Sequence, residues 1–201
     1  MKLPPFFNSI APLSPSAEEQ LSTVFCRGEF PRGYLLFRQG EVCRHIYYIE
    51  KGLARIYYTS SSGKEITAWF FAENSFLTAH DSFYQHKPAP SYCELLEDSV
   101  VYSLKYTDME AMLNKNHDMA KFAFHAVFEL TKKLTEFING IKFQSAEERY
   151  NALMQNYPNI FQRAKLGHIA SFLGITQETL SRIRGGKKDG GIERHGDDEK
   201  M

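Results

Sequence analysis

The chain is predicted to be an α+β protein: an N-terminal β-roll or jelly roll, one long helix, and a C-terminal helix-turn-helix. Three observations predict it. Aromatic and β-branched runs recur between glycine-bearing turns from Phe30 to Lys105, which is the texture of all-β sandwiches and jelly rolls. An apolar repeat with alternating steps of 3 and 4 residues then runs from Ala120 to Ile141, as in a helix with a packing seam. Finally, Leu166–Arg184 has the apolar spacing and central glycine of two short crossed helices.

The strand candidates are Tyr34–Phe37, Ile46–Ile49, Leu53–Tyr58, Ile66–Phe71 and Val100–Leu104, separated by turns at Gly40, Gly52 and Gly63. Ser16–Phe25 reads as a short helix ahead of them, with Ser14 or Ser16 as its cap. In the long helix, Ala120, Ala123, Val127, Leu130, Leu134, Phe137 and Ile141 form the expected dimerisation seam, and Phe124, Phe128 and Ile138 mark a second face. One face packs on the β domain and the other meets a partner helix; the alternative is a helix buried within its own monomer. Ser145 and Glu148 have capping-box spacing, so a new helix starts at Ser145 and the chain bends near Phe143. Tyr157-Pro158 closes that helix.

At 201 residues the chain is long enough for one large domain or two small ones. No apolar run approaches the ~20 residues that span a bilayer, and Met1–Phe7 lacks signal-peptide character. Cys26, Cys43 and Cys93 match neither zinc nor iron–sulfur spacing, which reads as reduced thiols in the cytoplasm. His80, Asp81, His86 and Cys93 lie close in sequence but lack tight ligand spacing, so no metal site is expected. A cupin-like metal protein is an alternative class, but it needs inward histidines where the strands offer only His45 and no His-x-His pair. With no phosphate loop, nucleophile elbow or paired-carboxylate signature either, an enzyme is not expected.

Net charge is zero, yet Arg163, Lys165, Arg182, Arg184, Lys187 and Lys188 stand against Glu178 alone between residues 163 and 188. That is a local basic face suited to phosphates, or else an ordinary solvated one. Beneath it, Ile169, Ala170 and Leu173 make the inner face of the first helix, and Gly174 turns the chain. Ile175 plugs the angle, Thr176 caps the second helix, and Leu180 and Ile183 face inward. This leaves Gln177, Glu178, Ser181 and Arg182 for base edges, with Thr179 and Arg184 placed for phosphates. An unrelated helical hairpin could share the pattern.

On these residues the chain resembles the Crp/Fnr family of bacterial regulators. The resemblance rests on the Gly33–Gly40-Glu41 stretch with Ile46–Ile49, Gly52 and Arg55, on the Glu94–Val101 segment as the strand after the cassette, and on Thr176–Arg182 as recognition helix. It implies a cyclic-nucleotide-binding-like sensor domain over 1–115, a dimerisation helix over 116–143, a helix-turn-helix over 144–186 and a disordered tail over 187–201. The implied function is a dimeric, cytoplasmic, sequence-specific transcriptional regulator. Its implied partners are a palindromic double-stranded DNA operator, a second copy, and RNA polymerase as a candidate, with no membrane. The resemblance places the effector pocket at Ser75, Phe76, Leu77, Thr78, Ser91 and Tyr92. In nucleotide-binding members a glutamate holds the ribose and an arginine the phosphate; here Ser75 stands near the first position and Ala89 or Pro90 at the second. A buried phosphate without a cation is costly, so cAMP and cGMP are disfavoured and no cofactor is identified. The Gly-rich end after Gly185 has no strand pattern, so the family's β-hairpin wing is expected to be missing or reduced. An alternative is a β-roll signalling module whose helix-turn-helix is vestigial and binds protein.

Overall fold

The computed structural model describes Pro4, Phe7 and residues 12–189, with side chains as far as Gly185. Helix α1 (Pro15–Val24) leads into strands β1 (Cys26–Phe30), β2 (Leu35–Phe37), β3 (His45–Lys51), β4 (Ala54–Thr59), β5 (Glu65–Phe71) and β6 (Ser75–Leu77). Helix α2 (His80–Gln85), β7 (Tyr92–Leu95) and β8 (Ser99–Lys105) complete the β-roll. The helical half comprises α3 (Tyr106–Lys115), α4 (His117–Phe143), α5 (Ala146–Asn156), α6 (Ile160–Arg163), α7 (Leu166–Leu173) and α8 (Gln177–Asp189).

The strands form two antiparallel sheets, ordered β1-β8-β3-β6 and β2-β7-β4-β5. Alternation along each strand sends one set of side chains between the sheets. There Phe37, Ile49, Ala54, Phe71, Leu77, Cys93, Leu95 and Val101 make a continuous buried core. The outer face of the first sheet carries Tyr48, Tyr102 and Leu104, covered by α1, α3, the start of α4 and Phe7. Phe7 stacks on Phe122 at 5.8 Å and meets Phe25 and Tyr48 edge-on, an arrangement that satisfies the ring quadrupoles.

The second sheet also has a buried apolar patch on its outer face. Leu53, Phe70 and Leu96 join Tyr150, Leu153, Ile160, Ile169, Ala170, Leu173 and Leu180 in a third core. The C-terminal helices therefore fold directly against the β-roll. They also cover β5, the edge strand of that sheet: the Thr67 amide donates to Ser171 Oγ at 3.0 Å, which removes a free edge donor.

Caps set the helix ends. Ser14 receives the Ala17 amide at 3.4 Å, and Asn116 receives the Asp118 amide at 3.0 Å. Ser145 and Glu148 form a complete capping box, with Glu148 Oε2 accepting from the Ser145 amide at 2.7 Å. α5 then ends at Asn156, before Tyr157-Pro158.

Several sequence expectations need correction. Glu94–Val101 is not one strand: β7 ends at Leu95, the chain turns through 96–98, and β8 begins at Ser99. Between the strands expected at Ile66–Phe71 and Glu94–Val101 the chain also forms β6 and α2, and β1 and α3 are further elements that the strand and helix candidates do not include. Residues 187–189, expected in a disordered tail, belong instead to α8, which continues through Gly185 and Gly186 to Asp189. Each glycine costs a helix about 1 kcal/mol, yet the backbone stays helical through both. Residues 190–201, on which the expected missing wing and the rest of the tail fall, lie outside the described residues.

Gly52 shows how tightly the turns are built. Its φ is +121°, and a Cβ there would lie 2.1 Å from Ser99 Oγ. Gly52→Ala is expected to cost about 3 kcal/mol through positive φ and the clash together. Urea unfolding monitored by circular dichroism checks this, and an unchanged midpoint would contradict it.

Candidate nucleic-acid interface and its junction with the β-roll

Helices α7 and α8 cross at Gly174, whose φ of +67° places it in the left-handed region that ends a helix. Thr176 Oγ1 accepts from the Thr179 amide at 3.2 Å, capping α8. Ile169, Ala170, Leu173 and Leu180 are buried, and Ile175 and Ile183 pack against them. This inner face fixes the outer one. Gln177, Glu178, Ser181 and Arg182 are all exposed at the start of α8, on neighbouring turns, and Thr179 is half-buried. The Glu178 carboxyl is held below its ordinary range by its own backbone amide and the Thr176 hydroxyl, so it stays an acceptor at neutral pH. Arg184 lies over the Phe161 ring at 4.2 Å. Its guanidinium stays exposed beside the same surface.

Arg163 is placed elsewhere than the basic-face reading expects. Its guanidinium bonds Glu97 (2.6 Å) and Glu73 (2.7 Å), both on turns of the β-roll. Glu73 in turn accepts from the Gly52 amide at 2.9 Å. Burial alone would raise the Glu73 carboxyl, but the bonds from Arg163 and Gly52 outweigh it and hold it below the usual carboxylate range. Bonds from Glu97 raise the Arg163 guanidinium further, against burial and with help from Glu73. This cation belongs to the junction between the two halves, not to the exposed basic surface.

Comparisons with known proteins agree with this architecture. Residues 27–116 match the family model described as a cyclic nucleotide-binding domain. The fumarate and nitrate reduction regulatory protein of Vibrio cholerae is 28% identical over 188 residues, covering 86% of this chain and 73% of that protein. FixK2 from Bradyrhizobium japonicum superposes with a TM-score of 0.70 at 17% identity, covering 87% of this chain and 90% of its own. A regulator assigned to the crp/fnr family, from Eubacterium rectale, gives 0.68 at 15% identity, covering 94% and 88%. The chain is thus similar to regulators of the Crp/Fnr type, and over its β-roll it matches a cyclic nucleotide-binding domain.

The match to a cyclic nucleotide-binding domain falls on the β-roll, from β1 to α3. The six residues expected to line an effector pocket are not brought together. Ser75 and Leu77 project from β6 toward the inter-sheet side, where Leu77 joins the core, and Thr78 and Ser91 are buried. Phe76 points the other way, into the cluster of Phe7, Tyr48 and Phe122. Tyr92 lies on the outer face of the second sheet, stacked on Tyr57 at 5.1 Å. Both are corrections, and the cause is the period-2 alternation of strands, which a run of neighbouring residues cannot escape. Thr78 Oγ1 donates to the His45 carbonyl at 2.8 Å. Among the described residues no three His, Cys, Asp or Glu side chains group as a metal site would require.

The expected seam of α4 is also rotated. Val127, Leu134 and Ile141 are exposed, as expected of a partner-facing row. Phe137, however, packs on Trp69 at 4.6 Å and on Phe172 at 5.6 Å, and Ala123 and Leu130 are half-buried; Ala120 is exposed. The open stripe is completed instead by Phe124 and Ile138, with Thr131 between them.

Further junction residues escaped the sequence reading. The Tyr157 hydroxyl donates to the Phe70 carbonyl at 2.7 Å, and Phe172 meets the Phe70 ring at 5.3 Å. The signal was present in the unbroken apolar run Trp69-Phe70-Phe71, which marks a strand buried on both faces. Under α7 lies Arg55, 3% exposed, bonded to Glu94 at 2.8 Å and Glu65 at 2.5 Å and stacked on Tyr57. His168 of α7 faces this group, and among the described residues its Nδ1 is buried with no hydrogen-bond partner. Burial first, then the Arg55 charge and Lys165, lower its pKa; Glu94 and Glu65 oppose this weakly.

The neutral imidazole is thus the form the folded junction favours. Its stabilising contribution is complete above the ordinary imidazole pKa of about 6.5 and is lost as pH falls through the depressed folded value. His45 and His80 are depressed as well, so the comparison with His168→Gln isolates this residue. The melting temperature of wild type is expected to fall more between about pH 7.5 and pH 5.5 than that of His168→Gln; parallel profiles would contradict the assignment.

Proposed function

We propose that this chain is a regulator of the Crp/Fnr family, a cytoplasmic homodimer that binds a palindromic operator in double-stranded DNA through α8. The reading is carried by one observation: Gln177, Glu178, Ser181 and Arg182 stand exposed together at the start of a capped helix whose opposite face is locked into a core. Their chemistries suit base edges, with Gln for adenine, Arg for guanine and a carboxylate for cytosine, while Thr179 and Arg184 serve phosphates. The division proposed is a sensor domain over 1–115, a dimer helix over 116–143, and a DNA-binding domain from 144 that includes all of α8.

The second copy is placed on the open stripe of α4. Phe124, Val127, Leu134, Ile138 and Ile141 are each 41–69% exposed, and with Thr131 their steps alternate between 3 and 4 residues, the repeat of a two-stranded coil. An apolar stripe of this kind on a regulator is an association surface. The β-roll biases the dimer through an effector that is not cAMP, since buried Ala89 (2% exposed) and Pro90 stand where the phosphate's arginine would be. RNA polymerase is the proposed downstream partner.

Selection of bound duplexes from a random library, beside an Arg182→Ala control, tests the DNA reading. A two-fold symmetric sequence enriched by wild type and lost in the control is the expected result. No enrichment by folded wild type would favour a helix-turn-helix that binds protein instead. The dimer face is tested separately: Ile138→Asp is expected to halve the mass found by light scattering with helicity retained, and an unchanged mass would refute that surface. Micromolar cAMP is expected to leave the melting temperature unmoved; a clear rise would overturn the effector statement.

A further inference from the structure

We propose that Arg163 is a positioning residue that fixes the spacing between the two recognition helices, and so the half-site spacing of the operator. The inference rests on the dimeric DNA-binding reading above. Through α4 the β-roll and the dimer axis form one unit, because Met119 and Phe122 are built into the roll's outer core and Phe137 packs on Trp69. The DNA-binding helices are joined to that unit covalently only at the bend after Phe143. Arg149 ties this bend to the end of α7, bonding the carbonyls of Gln144 (2.7 Å) and Leu173 (3.1 Å). Nothing in such a bend by itself sets the angle at which α8 leaves the dimer axis. That angle is set where the helices touch the β-roll.

Beside two single hydrogen bonds, from the Tyr157 hydroxyl to the Phe70 carbonyl and from the Thr67 amide to Ser171 Oγ, two kinds of contact are made there, and they differ in what they can specify. Leu53, Phe70 and Leu96 supply apolar area, which holds surfaces together without fixing direction. A cleft of about 230 Å³ also opens beside them, between Ala72 and Glu73 on the roll and Asn156–Ile160 and Arg163 on the helical side. Apolar packing on that flank is therefore incomplete. Arg163 closes the same flank with a planar fork. Nε and Nη2 reach Glu97 at 2.6–3.2 Å, and Nη1 and Nη2 reach Glu73 at 2.7–3.1 Å. A guanidinium held by two carboxylates defines orientation as well as distance. Both carboxylates sit on tight turns, and Glu73 is itself fixed by the Gly52 amide.

In a two-fold dimer, any tilt of one helix-turn-helix is mirrored by the other, so the separation of the recognition helices changes by twice the individual displacement. Half-sites one turn apart are separated by about 34 Å, and each inserted base pair adds about 3.4 Å while rotating the second site around the duplex. A rigid junction tolerates one spacing; a tilting one tolerates several. The identity of the bases read by α8 is untouched.

The test is a selection from duplexes carrying the wild-type half-sites with spacers varied base pair by base pair, using wild type, Arg163→Gln, and Glu73→Gln with Glu97→Gln together. The carboxamide pair leaves the helical domain unaltered, so it still reports if Arg163→Gln folds poorly by circular dichroism. Both variants are expected to keep the wild-type half-site sequence while their preference for the best spacer over its neighbours falls toward a ratio of one. Arg163→Lys is expected to lie between, since it keeps the charge but loses the fork. A spacer preference as sharp as wild type in the folded variants overturns the role of Arg163 and leaves the DNA reading standing. Altered half-site bases in the variants would also overturn it, by placing Arg163 on the DNA. No two-fold site with wild type overturns both.

Discussion

The structure depends on a sheet that carries buried apolar residues on both faces. Between the sheets, Ala54, Phe71, Cys93 and Leu95 fill the roll; on the other side Leu53, Phe70 and Leu96 must also leave water. At roughly 25 cal/mol per Å² of buried apolar area, exposing that outer face would be a serious cost, and its edge strand β5 would offer unpaired amides. The C-terminal helices answer both needs. The C-terminal helices and the β-roll thus share one core, and the exposed face of α8 is turned outward because its inner face is occupied.

Charge follows the same division. Zero net charge hides a separation of duties among the cations. Arg55 is buried under α7 in a carboxylate pair, Arg163 fastens the junction, and Arg182 stands free in solvent beside Gln177 and Glu178. The ionic groups at the junction are partly exposed, so their contribution to stability is modest. Their value is geometric. His168, placed over Arg55 with a buried ring nitrogen that has no hydrogen-bond partner among the described residues, is the group through which the same junction is expected to respond to protonation.

Much of this was legible in the sequence wherever a local rule decides the outcome. The capping box at Ser145, the stop at Tyr157-Pro158, the turn at Gly174 and the inward set of Ile169, Ala170, Leu173 and Leu180 all follow from neighbours within a few residues. What failed required knowing what lay across space. Val127, Leu134 and Ile141 are flanked on one side by Ala123, Leu130 and Phe137 and on the other by Phe124, Thr131 and Ile138, and periodicity cannot choose between two apolar flanks. Trp69 and Phe172 choose, by capturing Phe137. Likewise Phe76 and Tyr92 read as pocket residues only until the strand parity sends them outward, and Arg163 reads as a phosphate ligand only until Glu73 and Glu97 are seen beside it.

Hydrogen exchange along the intact chain, with and without an enriched operator duplex, tests the account most directly. It predicts slow exchange across residues 65–71 in both states, because α7 covers the edge of β5, and new protection confined to residues 176–184 when DNA is added. Fast exchange at β5, typical of an open edge strand, or an α8 indifferent to every DNA offered, would contradict it.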